Sequence, residues 1–259
     1  MLIYLMAMKA LKPGALPALR VITFGGEGYP KAELKKLYDL FATSARLVNV
    51  YGPTECTCIC SAYQISGSDF EDLTGLPPLG RLNPNFDYSI LDEHGRDATS
   101  GELCLIGPNV AAGYFNDTAR TAAAFQTLEE PRRFMKRMYR TGDIVREDSD
   151  GTLHFVGRKD NQIKHMGYRI ELEEVEHALA KLPNVSQTAV VYYRTHTAYG
   201  KLIGFVACSE AVDEKSLLSQ LSELLPDYML PGKLVILPIL PTNPNGKVDR
   251  QLLRASLGD

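Results

Sequence analysis

The chain has 259 residues, 45% apolar and 23% charged, with a formal net charge of −3. That balance describes a globular chain long enough for two domains and leaves no electrostatic footprint for nucleic acid. No apolar run approaches the ~20 residues a spanning helix needs, so no membrane span is expected.

The apolar opening, MLIYLMAM, lacks a basic n-region and reads as a buried helix, not a signal peptide. Leu19 to Phe24 is a short apolar run that meets Gly25-Gly26, a strand ending in a turn. Lys31 to Phe41 carries Leu34, Leu37, Leu40 and Phe41 at the period of an amphipathic helix. Ala45 to Tyr51 is a second short strand, and strand, helix, strand at that spacing predicts a parallel α/β unit. Five cysteines are present; Cys56, Cys58 and Cys60 alternate along an expected strand, with no His or Cys at metal-ligand spacing elsewhere. They read as small buried hydrophobes in a reducing, cytoplasmic setting. From residue 80 to 157 short strands (Tyr88 to Leu91, Glu102 to Ile106, Thr152 to Val156) alternate with turn signals, the texture of a small β-barrel or sandwich. Glu171 to Leu182 is an amphipathic helix, acidic at its start, with Lys181 in its last turn and Pro183 after it. Strands at Val185 to Tyr193, Leu202 to Cys208 and Leu234 to Leu240 and a helix from Asp213 to Leu225 complete an α+β domain. The expected fold class is α/β and β over residues 1–159, followed by a small α+β domain over 160–259. The first part divides into an α/β sheet layer, 1–79, and a β-barrel, 80–157.

Four polar segments interrupt these elements. Tyr51-Gly52-Pro53-Thr54-Glu55 follows a strand, where open α/β sheets bind ligands, and offers an aromatic face, a hydroxyl and a carboxylate. On spacing alone it reads equally as a capped turn. Tyr139-Arg140-Thr141-Gly142-Asp143 puts a carboxylate beside a glycine, suited to two ribose hydroxyls or to an ordinary turn. Gly157-Arg158-Lys159-Asp160 is a charged linker, and Asn243 to Arg250 is a turn with Lys247 at its tip, solvated or aimed at an anion.

In order and at these separations the segments resemble the adenylate-forming superfamily of acyl-CoA synthetases, nonribosomal peptide synthetase adenylation domains and luciferases. The resemblance is to the amino-acid-activating branch. It rests on Asn49-Val50-Tyr51-Gly52-Pro53-Thr54-Glu55, Gly101-Glu102-Leu103 through Gly113-Tyr114, Tyr139 to Asp143, Gly157 to Glu176, Leu225 to Pro231 and Asn245 to Arg250. The segment Gln162 to Glu176 is close to D-alanine–carrier-protein ligases and stand-alone adenylation enzymes; the D-alanine ligases carry cysteine where Gly25 stands here, a departure that speaks against a D-alanine substrate.

The resemblance implies ATP and magnesium as cofactors, an amino-acid substrate, and a phosphopantetheine thiol on a peptidyl or acyl carrier protein, or CoA, as acceptor. Nucleotide contacts fall on Asn49, Tyr51, Gly52, Thr54, Asp143 and Arg158: Tyr51 on adenine, Thr54 on the α-phosphate, Asp143 and Arg158 on the ribose. Glu55 matches the magnesium ligand, Lys247 the catalytic lysine, Asp160 the hinge, and Gly167 the thiol channel. Ile22, Phe24, Val50, Cys58 and Ile59 match substrate-pocket positions, all apolar and suited to a small or apolar side chain; each also reads as core packing. The family's Ser/Thr/Gly-rich phosphate loop and the aspartate that grips the substrate amine are not found, so the chain is expected to begin inside the large domain. An acyl- or aryl-CoA synthetase, and an incompetent fragment that keeps part of a nucleotide site, are the alternatives.

Overall fold

The computed structural model describes residues 2–12, 14, 16–128, 136–194, 200–210, 212–243 and 246–258. Met1 of the expected first helix, and Pro244 and Asn245 of the lysine turn, lie outside the described residues. A short helix α1 (Leu2–Ala7) precedes strand β1 (Val21–Gly25), helix α2 (Lys31–Phe41) and strand β2 (Arg46–Tyr51). β1 and β2 pair in parallel, Ile22 opposite Leu47 and Phe24 opposite Asn49. Leu34, Leu37 and Phe41 of α2 are buried at the helical spacing and meet Ile22, Phe24 and Leu47 in one core. Each such leucine contributes about 1.5–3 kcal/mol by leaving water. β3 (Ser61–Gln64) and β4 (Arg81–Leu82) extend the sheet antiparallel, in the order β1-β2-β3-β4.

The run expected as a cysteine-bearing strand is a turn. Thr54–Cys56 form a 3-10 helix, and Thr57 and Cys58 follow at φ 61° and 71°, a left-handed pair that no strand accommodates. Cys56 and Cys60 are therefore buried while Cys58 is exposed, instead of all three sharing a face.

Next come β5 (Asp87–Leu91), β6 (Ser100–Ile106), helix α3 (Thr118–Ala124), β7 (Phe125–Leu128), β8 (Lys136–Glu147) and β9 (Leu153–Arg158). They build an antiparallel sheet, β5-β6-β8-β7, with β9 also on β8. The β character matches expectation, but among the described residues the strands do not close into a barrel. The reason is the length of β8. Its first residues pair with β7 and its last with β9 along the same edge, so the sheet forks where a barrel would continue around. Leu103, Leu105, Val145 and Leu153 fill the core beneath it.

The chain divides into two compact units, Met1–Asp160 and Asn161–Asp259. The second opens with a hairpin, β10 (Gln162–His165) and β11 (Tyr168–Glu171), then helix α4 (Leu172–Leu179) and strands β12 (Val185–Arg194) and β13 (Gly200–Cys208). Helix α5 (Glu214–Ser222), strand β14 (Lys233–Leu237) and helix α6 (Arg250–Ala255) complete it. The sheet runs β12-β13-β14, antiparallel then parallel. Alternation along β12 and β13 divides the core between its two faces. Val190, Leu202 and Val206 meet Val175 and Leu179 of α4 and Leu217 and Leu221 of α5, whereas Ala189, Val191 and Phe205 meet Leu253 of α6.

Candidate functional site

The site begins with a bulge. Along β6 and β8, Glu102 faces Ile144 and Cys104 faces Arg140, so Thr141, Gly142 and Asp143 lie opposite Leu103 alone. The Thr141 hydroxyl donates to the Leu103 carbonyl at 2.7 Å and accepts from the Asp143 amide at 3.0 Å, closing the bulge with its own side chain. Bulges re-aim side chains in this way. Gly142 sits at φ 70°, and a Cβ there would fall 2.8 Å from Nη2 of Arg158. Only glycine both adopts this turn and lets the guanidinium pass.

Asp143 is 8% exposed and is held from both sides. Tyr51 Oη donates to its Oδ2 at 2.5 Å, and Arg158 Nη1, from the register-opposed residue on β9, donates to its Oδ1 at 2.7 Å. Arg158 also donates to the Thr141 carbonyl at 2.8 Å and to both oxygens of Asp160 at 2.8 and 2.6 Å. Burial, joined by the Asp143 charge, pushes the Tyr51 hydroxyl well up, so it is a donor at any working pH. Burial opposes the Arg158 charge, but the hydrogen bond to Asp160 and the negative charge on Asp143 overcome it and push its pKa up. The result is a buried carboxylate between a phenol and a guanidinium, with lone pairs left for further donors such as a diol.

Glu55, 7% exposed in the 3-10 turn, accepts from the Tyr114 hydroxyl at 2.8 Å. Tyr114 stands edge-on to Phe125, and the Arg120 guanidinium lies 4.5 Å from the centre of its ring. The Ala111 amide donates to the Glu55 carbonyl at 2.8 Å, so the 107–114 segment clamps the turn through backbone as well. A carboxylate and a phenol are hard oxygen donors. Magnesium takes one or two carboxylates and fills the rest of its shell with phosphate oxygens and water, so this donor set fits it. Among the described residues no group of three or more His, Cys, Asp or Glu forms a metal site of its own.

The remaining residues expected at a site fall as follows. Thr54 is exposed beside Glu55. Asn49 is buried and its amide donates to the Pro78 carbonyl at 2.7 Å, a structural bond. Gly52 has a packing reason of its own, since a Cβ there would lie 1.3 Å from the Cys58 carbonyl oxygen. The pocket set is not brought together. Ile22 and Phe24 point into the α2 core, because alternate residues of a strand take opposite faces and Gly25, not Phe24, is the register partner of Val50. Val50 is half-buried on the other face, and Cys58, in the left-handed pair, and Ile59 after it are exposed. Asp160 lies at the last residue of the first unit. In the second unit Gly167, φ 89°, follows Met166, φ 53°, in the two-residue turn between β10 and β11. Lys247 is exposed on a loop closed by Asn243, whose carbonyl and side chain accept from Gly246 and Lys247 and whose amide donates to the Lys247 carbonyl at 2.7 Å. Arg250 ties that loop down through ion pairs to buried Glu176 of α4, at 2.7 and 2.9 Å.

Tyr114, Thr141, Glu102 and the Glu176–Arg250 pair were not assigned by sequence reasoning. Tyr114 lies 59 residues from Glu55, and Arg250 lies 74 from Glu176. The only sequence signal was their presence in ordered motifs, which gives no partner.

Residues 1–115 match the AMP-binding enzyme family model and residues 174–247 match the AMP-binding enzyme C-terminal domain. A dimodular nonribosomal peptide synthase of Bacillus subtilis is 38% identical over 253 residues, covering 96% of this chain and 10% of that protein. A D-alanine–D-alanyl carrier protein ligase of Streptococcus pyogenes is 35% identical over 251 residues, covering 92% of this chain and 48% of the ligase. Among solved structures, a Vibrio cholerae adenylation domain in complex with glycyl-adenosine-5′-phosphate superposes with a TM-score of 0.82 at 27% identity, over 98% of this chain and 47% of that one. A nonribosomal peptide synthetase protein with adenylation and PCP domains gives 0.77 at 32%, over 94% and 42%. The chain thus spans at most about half of each of these relatives, with both of the family's domain models represented in order. It belongs to the AMP-binding enzyme family.

Proposed function

We propose that this chain acts, as part of a larger enzyme, in the ATP-dependent activation of an amino acid to an aminoacyl-adenylate and its transfer to a carrier-protein phosphopantetheine thiol. The observation that carries the reading is the buried Asp143 carboxylate between Tyr51 and Arg158. Asp143 accepts from the two ribose hydroxyls while Arg158 holds its other lone pairs and its charge. Tyr51 offers the face of its ring to adenine. Thr54 binds the α-phosphate, and Glu55, held by Tyr114, is the carboxylate for magnesium. Magnesium, when bound, supplies charge neutralisation at the phosphate oxygens. Lys247 brings a point charge to the α-phosphate and the substrate carboxylate. No side-chain nucleophile is needed, because the substrate carboxylate oxygen attacks the α-phosphorus and pyrophosphate leaves. Catalysis is then positioning and charge stabilisation. Asp160 serves as the hinge for the second half-reaction, and Gly167, in the β10–β11 turn, borders the thiol path.

One position supports a substrate other than D-alanine. Those ligases carry cysteine at the position of Gly25, and here a Cβ at Gly25 would meet the Val50 carbonyl oxygen at 2.0 Å. Of the pocket set, Val50, Cys58 and Ile59 remain as candidates for contact with the substrate side chain.

Amino-acid-dependent pyrophosphate exchange tests the reading, run on this chain and on a longer enzyme that contains it. We expect exchange in the longer enzyme and a drop of orders of magnitude in Lys247→Ala with nucleotide binding retained. Near-normal exchange in that variant removes Lys247 from the chemistry. Exchange with carboxylic acids lacking an amine, and transfer to CoA, would point to an acyl- or aryl-CoA synthetase instead. Because the chain spans about half of its relatives, we expect the 259 residues alone to show nucleotide binding without turnover.

A further inference from the structure

Glu102 touches none of the residues assigned to substrates, yet it pairs with Arg140 and Lys159, which stand on the segments carrying Asp143 and Arg158. Its side chain is buried on β6, directly before the single residue that opposes the bulge. One of its oxygens, Oε2, accepts from Arg140 Nη2 and from Arg140 Nε at 3.2 Å, and also from Lys159 Nζ at 3.2 Å. Arg140 immediately precedes Thr141-Gly142-Asp143. Lys159 stands between Arg158 and Asp160, and its amide donates to the Gly142 carbonyl at 2.8 Å. One buried carboxylate therefore grips the two chain segments that present Asp143 and Arg158.

We propose that Glu102 is a positioning residue: through Arg140 and Lys159 it fixes the Thr141–Asp143 bulge and the Arg158–Asp160 exit segment in register with each other. A buried carboxylate in this place is costly unless it is paired, and its two partners belong to the two segments the site must align. The meaning of this role rests on Asp143 being the ribose carboxylate, but its physical content does not.

The test is amide hydrogen exchange on the whole 259-residue chain without nucleotide. In Glu102→Gln the shape is kept and the charge is lost. Exchange at the Asp143 and Lys159 amides should then rise on the order of tenfold, while Leu103 and Leu105 in the same sheet stay protected. Lys159→Met, a change at a mostly exposed side chain, keeps the Arg140 pair and should raise exchange at Lys159 while sparing Asp143. It remains informative even if Glu102→Gln fails to fold. Unchanged rates at Lys159 in the Met variant, or a rise in Glu102→Gln shared equally by Leu103 and Leu105, overturns the proposal. A parallel AMP titration of Asp143→Asn separates the two claims. Undiminished AMP affinity there removes the ribose reading without touching the exchange result.

Discussion

At Asp143 both carboxylate oxygens already have a donor, Tyr51 on one and Arg158 on the other. The phenol and the guanidinium differ in what they offer a nucleotide. Arg158 is anchored by four hydrogen bonds to three residues and acts as a fixed wall. Tyr51 has one such bond to Asp143, and its hydroxyl and its ring are separable. If the ring is the adenine platform, Tyr51→Phe keeps it and frees an oxygen of Asp143. AMP affinity, measured by calorimetric titration, should then change by less than about threefold. Tyr51→Ala removes the platform, and a stacked base is worth ~1–3 kcal/mol, so affinity should fall roughly five- to 150-fold. Equal losses in the two variants would assign the binding to the hydroxyl and not to the ring. Arg250 follows a similar logic in the second unit. It pairs with Glu176 in the core, and Glu176 also accepts from the Val190 amide at 2.7 Å. Glu176→Gln should lower the stability of that unit by about 2–3 kcal/mol in urea unfolding, because a charged hydrogen-bond acceptor shared by two elements is lost.

At the scale of elements, the parallel β1-α2-β2 unit was legible because period and length agree. Lys31 to Phe41 repeats its apolar residues every three or four positions, and the helix occupies those residues. The α+β pattern of the second unit was legible for the same reason. The cysteine run was not, because alternation of Cys56, Cys58 and Cys60 mimics a strand while the deciding constraint lies outside the run, at Gly52. The backbone of Gly52 is pressed onto the Cys58 carbonyl, and that closes a tight loop which Thr57 and Cys58 complete in left-handed conformations. The bulge at Thr141–Asp143 was hidden likewise, since it is defined by a partner strand about 40 residues away in sequence. Hence the candidate site residues were nameable from ordered motifs, whereas their mutual support was not. Gly52→Ala is the sharpest test at this scale. Its Cβ would meet backbone, which cannot swing aside like a side chain, so we expect a loss of about 3 kcal/mol or more in denaturant unfolding. A loss below about 1 kcal/mol would mean that the loop shifts easily and that Gly52 is kept for nucleotide approach instead.

For the molecule as a whole, the ionisable groups held away from their ordinary range give the first unit a stability window open at two sides. At the acid side stands Glu102, whose burial opposes its charge but whose bonds to Arg140 and Lys159 overcome this and hold its carboxyl below the usual range. A depressed carboxyl stabilises the fold at pH values above its unfolded pKa of ~4.3, and that contribution is lost as pH falls through the lower folded value. At the alkaline side stand Tyr63 and Tyr88, both pushed up to about 12, Tyr63 by burial first and Tyr88 by its hydrogen bond to Glu147 first. The folded state keeps these protons longer than the unfolded one. Their contribution is therefore complete below the unfolded pKa of ~10 and disappears as pH rises toward about 12. All three groups lie in Met1–Asp160, so that unit should lose stability between pH ~10 and 12 through its tyrosines. Thermal melts across this range, followed by tyrosinate absorbance and by amide exchange on β5 and β6, should show the midpoint falling with pH. In the Tyr63→Phe, Tyr88→Phe double variant no proton is left to lose at either position, and the midpoint should fall less steeply over the same interval, the remaining slope belonging to Tyr51, whose hydroxyl burial pushes up further. A double variant that melts as steeply as the parent would show that neither phenol governs the alkaline limit.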